Sequence, residues 1–243
     1  MHKKIEGIIV SEYPFEENSK IINILTKEGK IGVIAKGAKK LKSPFFAVTN
    51  RFTYGVFNIY YKEEGLSKLI DADIINNYSN IKKDINKVSY VTYITELILK
   101  AYNHEPNNNI YELYLAGLTK INEGYDYIVI FNILRLKLLD YLGIKPVIDK
   151  CVECGSTHNI VTISSYLGGY ICKNCYKNEK IVSSKTLSLI RMLYYVDISK
   201  IEKLDISELC KNEINTFLNE YYENYTGLYL KSKNFINNIK KLV

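Results

Sequence analysis

Four of the five cysteines in this 243-residue chain fall into two matched pairs, and they carry its clearest chemical signal. Cys151-Val152-Glu153-Cys154 and Cys172-Lys173-Asn174-Cys175 form a C-x2-C, seventeen-residue spacer, C-x2-C pattern. Two intervening residues let one tight turn aim both sulfurs at a common point, and two such knuckles complete a closed tetrahedral shell. The spacing predicts one structural Zn2+ ion held by the thiolates of Cys151, Cys154, Cys172 and Cys175. A shell of four sulfurs leaves no position for water, so the ion would stabilise its segment and generate no hydroxide. Gly155 supplies backbone freedom just after the first knuckle, and Gly168-Gly169 allows a hairpin return before the second. Unliganded thiols or a redox pair are the competing readings, and neither accounts for two matching pairs. His158, in the spacer, is the one alternative ligand. Cys210 sits beside Leu209 on an apolar helical pattern and reads as a core thiol. An odd count in a chain of this kind argues against a disulfide framework.

The second concentration of chemistry is cationic. Lys36-Gly37-Ala38-Lys39-Lys40-Leu41-Lys42-Ser43-Pro44-Phe45-Phe46 is the densest positive cluster, with Arg51 following. Lysines neutralise phosphates without regard to sequence, and an aromatic ring stacks on any base. Lys36, Lys39, Lys40, Lys42 and Arg51 are therefore candidate phosphate contacts and Phe45 a candidate stacking residue, with Gly37 allowing close backbone approach. Phe45 and Phe46 could equally be barrel core, and the whole segment could be a solvated loop. The net charge of +7 points to an anionic partner. Only Arg51, Arg135 and Arg191 are arginines, and the wealth of Lys, Asn, Ile and Tyr also follows from AT-rich coding, so local placement carries more weight than the total.

No catalytic centre is expected. Gly32-Val33-Ile34-Ala35-Lys36-Gly37 has the glycine spacing of a phosphate loop, but Ala38 stands where its lysine is required. Asp71 and Asp73, two apart on a strand, could hold magnesium; surface acids at a strand end explain them more simply. The three histidines show no triad or metal spacing, and His104 beside Pro106 reads as a helix-end residue.

The elements that must position these groups fall into two kinds. Lys4 to Ser11, Ile21 to Thr26, Ile31 to Lys36, Phe52 to Tyr61 and Lys68 to Ile75 are β-branched and aromatic, with turn chemistry at Lys27-Glu28-Gly29 and Glu63-Glu64-Gly65. Five short strands without a long helix predict a small closed barrel of the OB kind. From Ile81 the apolar period lengthens toward 3.6, predicting helices that end near His104-Glu105-Pro106, span Ile110 to Asn122, and span Tyr127 to Leu142. The third is apolar around nearly its whole circumference, which places it at a domain centre, with Gly143 as its C-cap. Lys185 to Val196, Ser207 to Tyr222 and Lys231 to Leu242 return to helical patterning. The expected fold class is α+β: a five-stranded OB-fold nucleic-acid-binding domain over residues 1–79, then an α-helical domain over 80–243 with the zinc insert at about 148–178. Glu6 and Gly7 interrupt any secretory core and no apolar run approaches about 18 residues, so a cytoplasmic protein with no membrane partner is expected.

Several of these segments resemble one family. Lys4-Ile5-Glu6-Gly7-Ile8-Ile9-Val10, the Ile21 to Thr26 strand leading into Glu28-Gly29, and the Ala35 to Lys40 loop before Ser43 are similar to the N-terminal barrel of the recombination mediator O (RecO) family. Glu105-Pro106-Asn107, Leu142-Gly143-Ile144-Lys145-Pro146, Asp149-Lys150-Cys151, Cys154-Gly155 and Gly168-Gly169 before Cys172 resemble its helical domain and zinc insert. The resemblance covers about residues 1 to 180 and weakens over the last helices. It implies binding of single- and double-stranded DNA and annealing without ATP. It also implies action on strands coated by single-strand binding protein through that protein's C-terminal tail, and cooperation with RecR in loading RecA. Where family members commonly carry arginines in the loop, this chain has Lys39 and Lys40, which keep the charge but lose the planar fork. The alternative is a zinc-ribbon and OB adaptor that docks another protein.

Overall fold

Alternating burial explains the N-terminal strands. In β4 (Tyr54–Tyr60) Gly55, Phe57 and Ile59 point inward and Tyr54, Val56 and Asn58 outward, as a two-residue period on one buried face requires. With β1 (His2–Phe15), β2 (Ser19–Leu25), β3 (Lys30–Ala35) and β5 (Ser67–Asn76) it closes a barrel in the order β1-β2-β3-β5-β4, with β3 and β5 parallel and the other pairs antiparallel. This is the expected OB fold. Its core is Ile5, Ile9, Ile22, Ile24, Val33, Ala35, Phe57, Ile59 and Leu69, each large aliphatic or aromatic side chain contributing about 1.5–3 kcal/mol by burial.

The computed structural model describes residues 1–102 and 107–240. The helix stop expected at His104-Glu105-Pro106 and the end of the last helix at Leu242 lie outside the described residues. The chain divides into two compact units, Met1–Lys83 with Tyr102–Glu112, and Asp84–Ala101 with the chain from Leu113 on.

In the first unit β1 continues past the expected end at Ser11. It pairs with β4 over His2 to Ile8 and with β2 over Ile8 to Phe15, with an irregularity between Ile9 and Ser11. Pro14 is tolerated because β4 no longer lies beside that half of the strand, so its missing N–H interrupts no ladder there. Two four-residue helices, α1 (Phe45–Val48) and α2 (Ser79–Lys82), occupy segments that carry no helical period.

The second unit is built round α5 (Tyr127–Tyr141), in which every residue from Val129 to Leu136 is buried, as its all-round apolar pattern requires. Asp126 caps it, accepting from the N–H groups of Ile128 (2.9 Å) and Val129 (3.3 Å). Its last turn closes with Ile144 N–H donating to Leu139 O, 3.0 Å. α3 (Ile85–Tyr102) and α4 (Asn108–Glu123) precede it, and α6 (Ser184–Tyr195), α7 (Glu208–Thr226) and α8 (Lys231–Lys240) follow. α6 and α7 both pack on α5. Ser183 and Ser207 cap them through the N–H groups of Thr186 and Cys210. Among the described residues no helix is long and apolar enough to cross a membrane.

Candidate metal centre and nucleic-acid interface

The cysteine segment folds as a three-stranded sheet in the order β6-β8-β7: Val147–Cys151, Gly169–Cys172 and Ile160–Ser164. Cys151 ends β6 and Cys172 ends β8, so the parallel pairing of those strands sets both knuckles at one end of the sheet. In each knuckle the chain turns back on its first cysteine: Gly155 N–H donates to Cys151 O at 2.9 Å, and Cys175 N–H to Cys172 O at 3.1 Å. Gly155 takes φ +76° with open space where a Cβ would stand, a conformation that other residues adopt only with strain. The ligand-capable atoms of Cys151, Cys154, Cys172 and Cys175 all lie within 4.8 Å of one another, and Cys154 Sγ is 3.6 Å from Cys172 Sγ. Sulfurs about 2.3 Å from a tetrahedral ion stand roughly 3.8 Å apart, so the set is within reach of one ion.

Burial alone would raise the Cys151 thiol. The backbone N–H groups of Cys154, Cys172 and Glu153 outweigh it and bring the group down to about 6. Beside it the Cys175 thiol is pushed up, chiefly by its hydrogen bond with Cys154. Four sulfurs this close carry negative charge together only if a cation compensates them, and an all-sulfur donor set suits a soft or borderline divalent ion. His158 is exposed, with its N–H on Ser156 Oγ at 3.2 Å, and is not part of the cluster. Among the described residues this is the one group of three or more potential ligands. Asp71 and Asp73 lie exposed on β5, outside it. Cys210 is buried on α7, as a core thiol should be. The phosphate-loop look-alike resolves into strand, since Gly32 to Ala35 belong to β3.

The cationic loop leaves β3 at Lys36 and is pinned to the β1–β2 hairpin, where Lys39 N–H donates to Asn18 O at 3.0 Å. Gly37 takes φ +70° with nothing within 4 Å of a Cβ position. Lys36, Lys39, Lys40 and Lys42 are all exposed. Among the described residues none of them enters an ion pair. Four lysines on one loop without carboxylate partners form a local positive field open to phosphates.

Two of the sequence-derived candidates are placed differently. Arg51 is half-buried, its Nε donating to Val10 O at 2.9 Å and its guanidinium 4.8 Å from the centre of the Phe52 ring. Phe45 opens α1 and packs against the barrel core, as Ile31 and Tyr61 do. Phe46 is 38% and Leu41 83% exposed.

Two further features escaped sequence reading. Tyr13 and Pro14, on the extended half of β1, border a cavity beside Lys39. Within α5, Arg135 is fully buried: Nη1 and Nη2 donate to Asn215 Oδ1 and Asn219 Oδ1 (2.9 Å each), and the guanidinium lies 5.0–5.7 Å from the ring centres of Phe131, Tyr222 and Tyr93. Burial lowers its pKa, with only tyrosines nearby to oppose the shift. A cation placed inside the fully buried stretch Val129 to Leu136 was the available signal.

Comparison with known proteins gives consistent matches along the chain. The family model described as Recombination protein O N terminal matches residues 1–78, and that described as Recombination protein O C terminal matches residues 82–234. A DNA repair protein RecO from Listeria monocytogenes serotype 4b is 36% identical over 244 residues, covering 98% of this chain and 95% of that protein. One from Bacillus pumilus is 37% identical with the same coverage. One from Halalkalibacterium halodurans is 33% identical over 247 residues, covering 100% of this chain and 97% of its own.

Proposed function

The chain belongs to the recombination protein O (RecO) family, and from that premise we propose that it is a DNA repair and recombination mediator acting in the cytoplasm on the nucleoid. It binds single- and double-stranded DNA, anneals complementary strands without ATP, and with RecR helps load RecA on strands coated by single-strand binding protein. The observation that carries this reading is the row of exposed lysines without ion pairs, Lys36, Lys39, Lys40 and Lys42, on the loop leaving β3 of an OB barrel. Residues 1–79 are the nucleic-acid-binding domain in this reading, with Arg51 bracing the barrel wall behind the loop. Annealing lowers the repulsion between two polyanions and makes or breaks no covalent bond, so it asks for cations and needs no catalytic group.

Cys151, Cys154, Cys172 and Cys175 are assigned one structural Zn2+, whose bound form supplies cohesion to the insert. For the acidic, apolar-ended tail of single-strand binding protein we infer a docking place in the helical unit, beside a small cleft. Tyr90, Tyr93 and Phe131 supply apolar walls there and Asn215 and Asn219 hydrogen-bonding groups, while Lys233, which also lines it, is ion-paired with Glu223. Arg135 lies against four of these residues and adds fixed positive charge behind them.

Mixing complementary oligonucleotides with the protein and no nucleotide tests the proposal, the expected result being duplex formation well above the spontaneous rate. The loop is tested by salt. Lys39→Ala with Lys40→Ala should flatten the dependence of log affinity on log salt for single strands by about 1.4, roughly 0.7 for each phosphate no longer neutralised. An unchanged slope with no annealing would favour a barrel that docks another protein.

A further inference from the structure

Beside the lysine loop the barrel carries a cavity of about 320 Å3 lined by Glu12, Tyr13, Pro14, Lys20 and Lys39. Its exposed surface is almost wholly carbon, supplied by the two rings and the lysine stems. The polar ends are engaged elsewhere: Lys20 Nζ ion-pairs with Glu12 and reaches Asn50 Oδ1 at 3.2 Å, and Lys39 Nζ donates to Glu16 O at 3.3 Å. Tyr13 is 56% exposed, and among the described residues no ring or cation lies on its face. An apolar, ring-floored cavity therefore adjoins a loop of cations without carboxylate partners.

We propose that this cavity seats an unstacked base of single-stranded DNA on the Tyr13 ring, while Lys36, Lys39, Lys40 and Lys42 meet the flanking phosphates. The inference deepens the DNA-binding reading above and rests on it. Charge complementarity selects the occupant, because Lys39 belongs to both the cavity wall and the cationic loop, so a chain that follows the loop's charges is led to the cavity. A base is flat and dehydrates cheaply on both faces, and stacking on an aromatic ring is indifferent to its identity. In a duplex each base is already stacked, so the cavity acts only on single strands. The loop alone serves both forms. Phe45 is turned against the barrel core, and Tyr13 at 56% is more exposed than Phe46 at 38%.

The chain contains no tryptophan, so Tyr13→Trp installs a single reporter. The indole emission of that variant should be quenched on binding oligo(dT) and unchanged on binding an abasic oligomer of equal length. Tyr13→Ala should weaken oligo(dT) binding roughly tenfold, leave abasic and duplex binding unaltered, and keep the salt slope of the unaltered protein. Tyr13→Phe should restore affinity. Oligo(dT) binding that is salt-dependent yet unaffected by Tyr13→Ala, with no quenching in the Tyr13→Trp variant, would overturn this inference and leave the DNA-binding reading standing. An unaltered protein that ignores oligo(dT) at low salt would overturn both.

Discussion

Cys151→Ser combined with Cys172→Ser should abolish metal binding and unfold the 148–178 insert. Elemental analysis of the unaltered protein should find one zinc per chain, and of the double variant none. Structural zinc contributes on the order of 10 kcal/mol in small peptides, and the insert has little with which to replace it. Its sheet has three strands of four or five residues, and packing on α6 through β6 and β7 does not replace four metal–sulfur bonds. Amide exchange should therefore become fast across β6 to β8. It should stay slow in β1 to β5, whose core uses no residue of the insert. Cys210→Ser, outside the cluster, should keep full metal content. A double variant that retained its zinc, or kept β6 to β8 protected without it, would remove the metal from this account.

The next largest effect is expected at Arg135. Arg135→Ala should destabilise the second unit by about 3 kcal/mol, measured by urea unfolding. Two effects oppose each other. Removing a buried cation relieves its desolvation, which by itself would stabilise. Truncation also leaves a cavity among Tyr93, Phe131 and Tyr222 and removes the donors from Asn215 and Asn219. Both asparagines are half-buried and can take up water, so the forfeited packing against the rings dominates. Arg135→Met, which refills most of the space and carries no charge, should recover much of the loss. Equal destabilisation by Ala and Met would show instead that the charge-assisted hydrogen bonds hold the site together.

Local rules made much of the barrel legible. Its strands alternate with a period of two between recognisable turns, and each expected strand is present with ends shifted by a few residues. The exception is β1, expected to end at Ser11. The strand runs on to Phe15 because β1 changes partners at Ile8, and that exchange is made by residues some fifty positions away on β4. Tyr13 was invisible as a surface ring for the same reason. The sheet within the insert was only half legible: the glycine pair announced the β7–β8 return, while the parallel pairing of β6 with β8 joins segments separated by the whole spacer.

By itself the sequence determined the two kinds of domain, the four sulfurs that gather, the lysine-rich loop and the buried character of α5. Each follows from spacing or periodicity within a short stretch, where geometry is dictated by the chain's own covalent repeat. Only the tertiary structure decided that Phe45 packs against the core while Tyr13 faces out, that Arg51 is tied to Val10, and that Arg135 sits among three rings on two asparagines of α7. Those outcomes depend on which distant segment arrives beside a residue. That is settled by close packing of whole elements, to which a local pattern is blind.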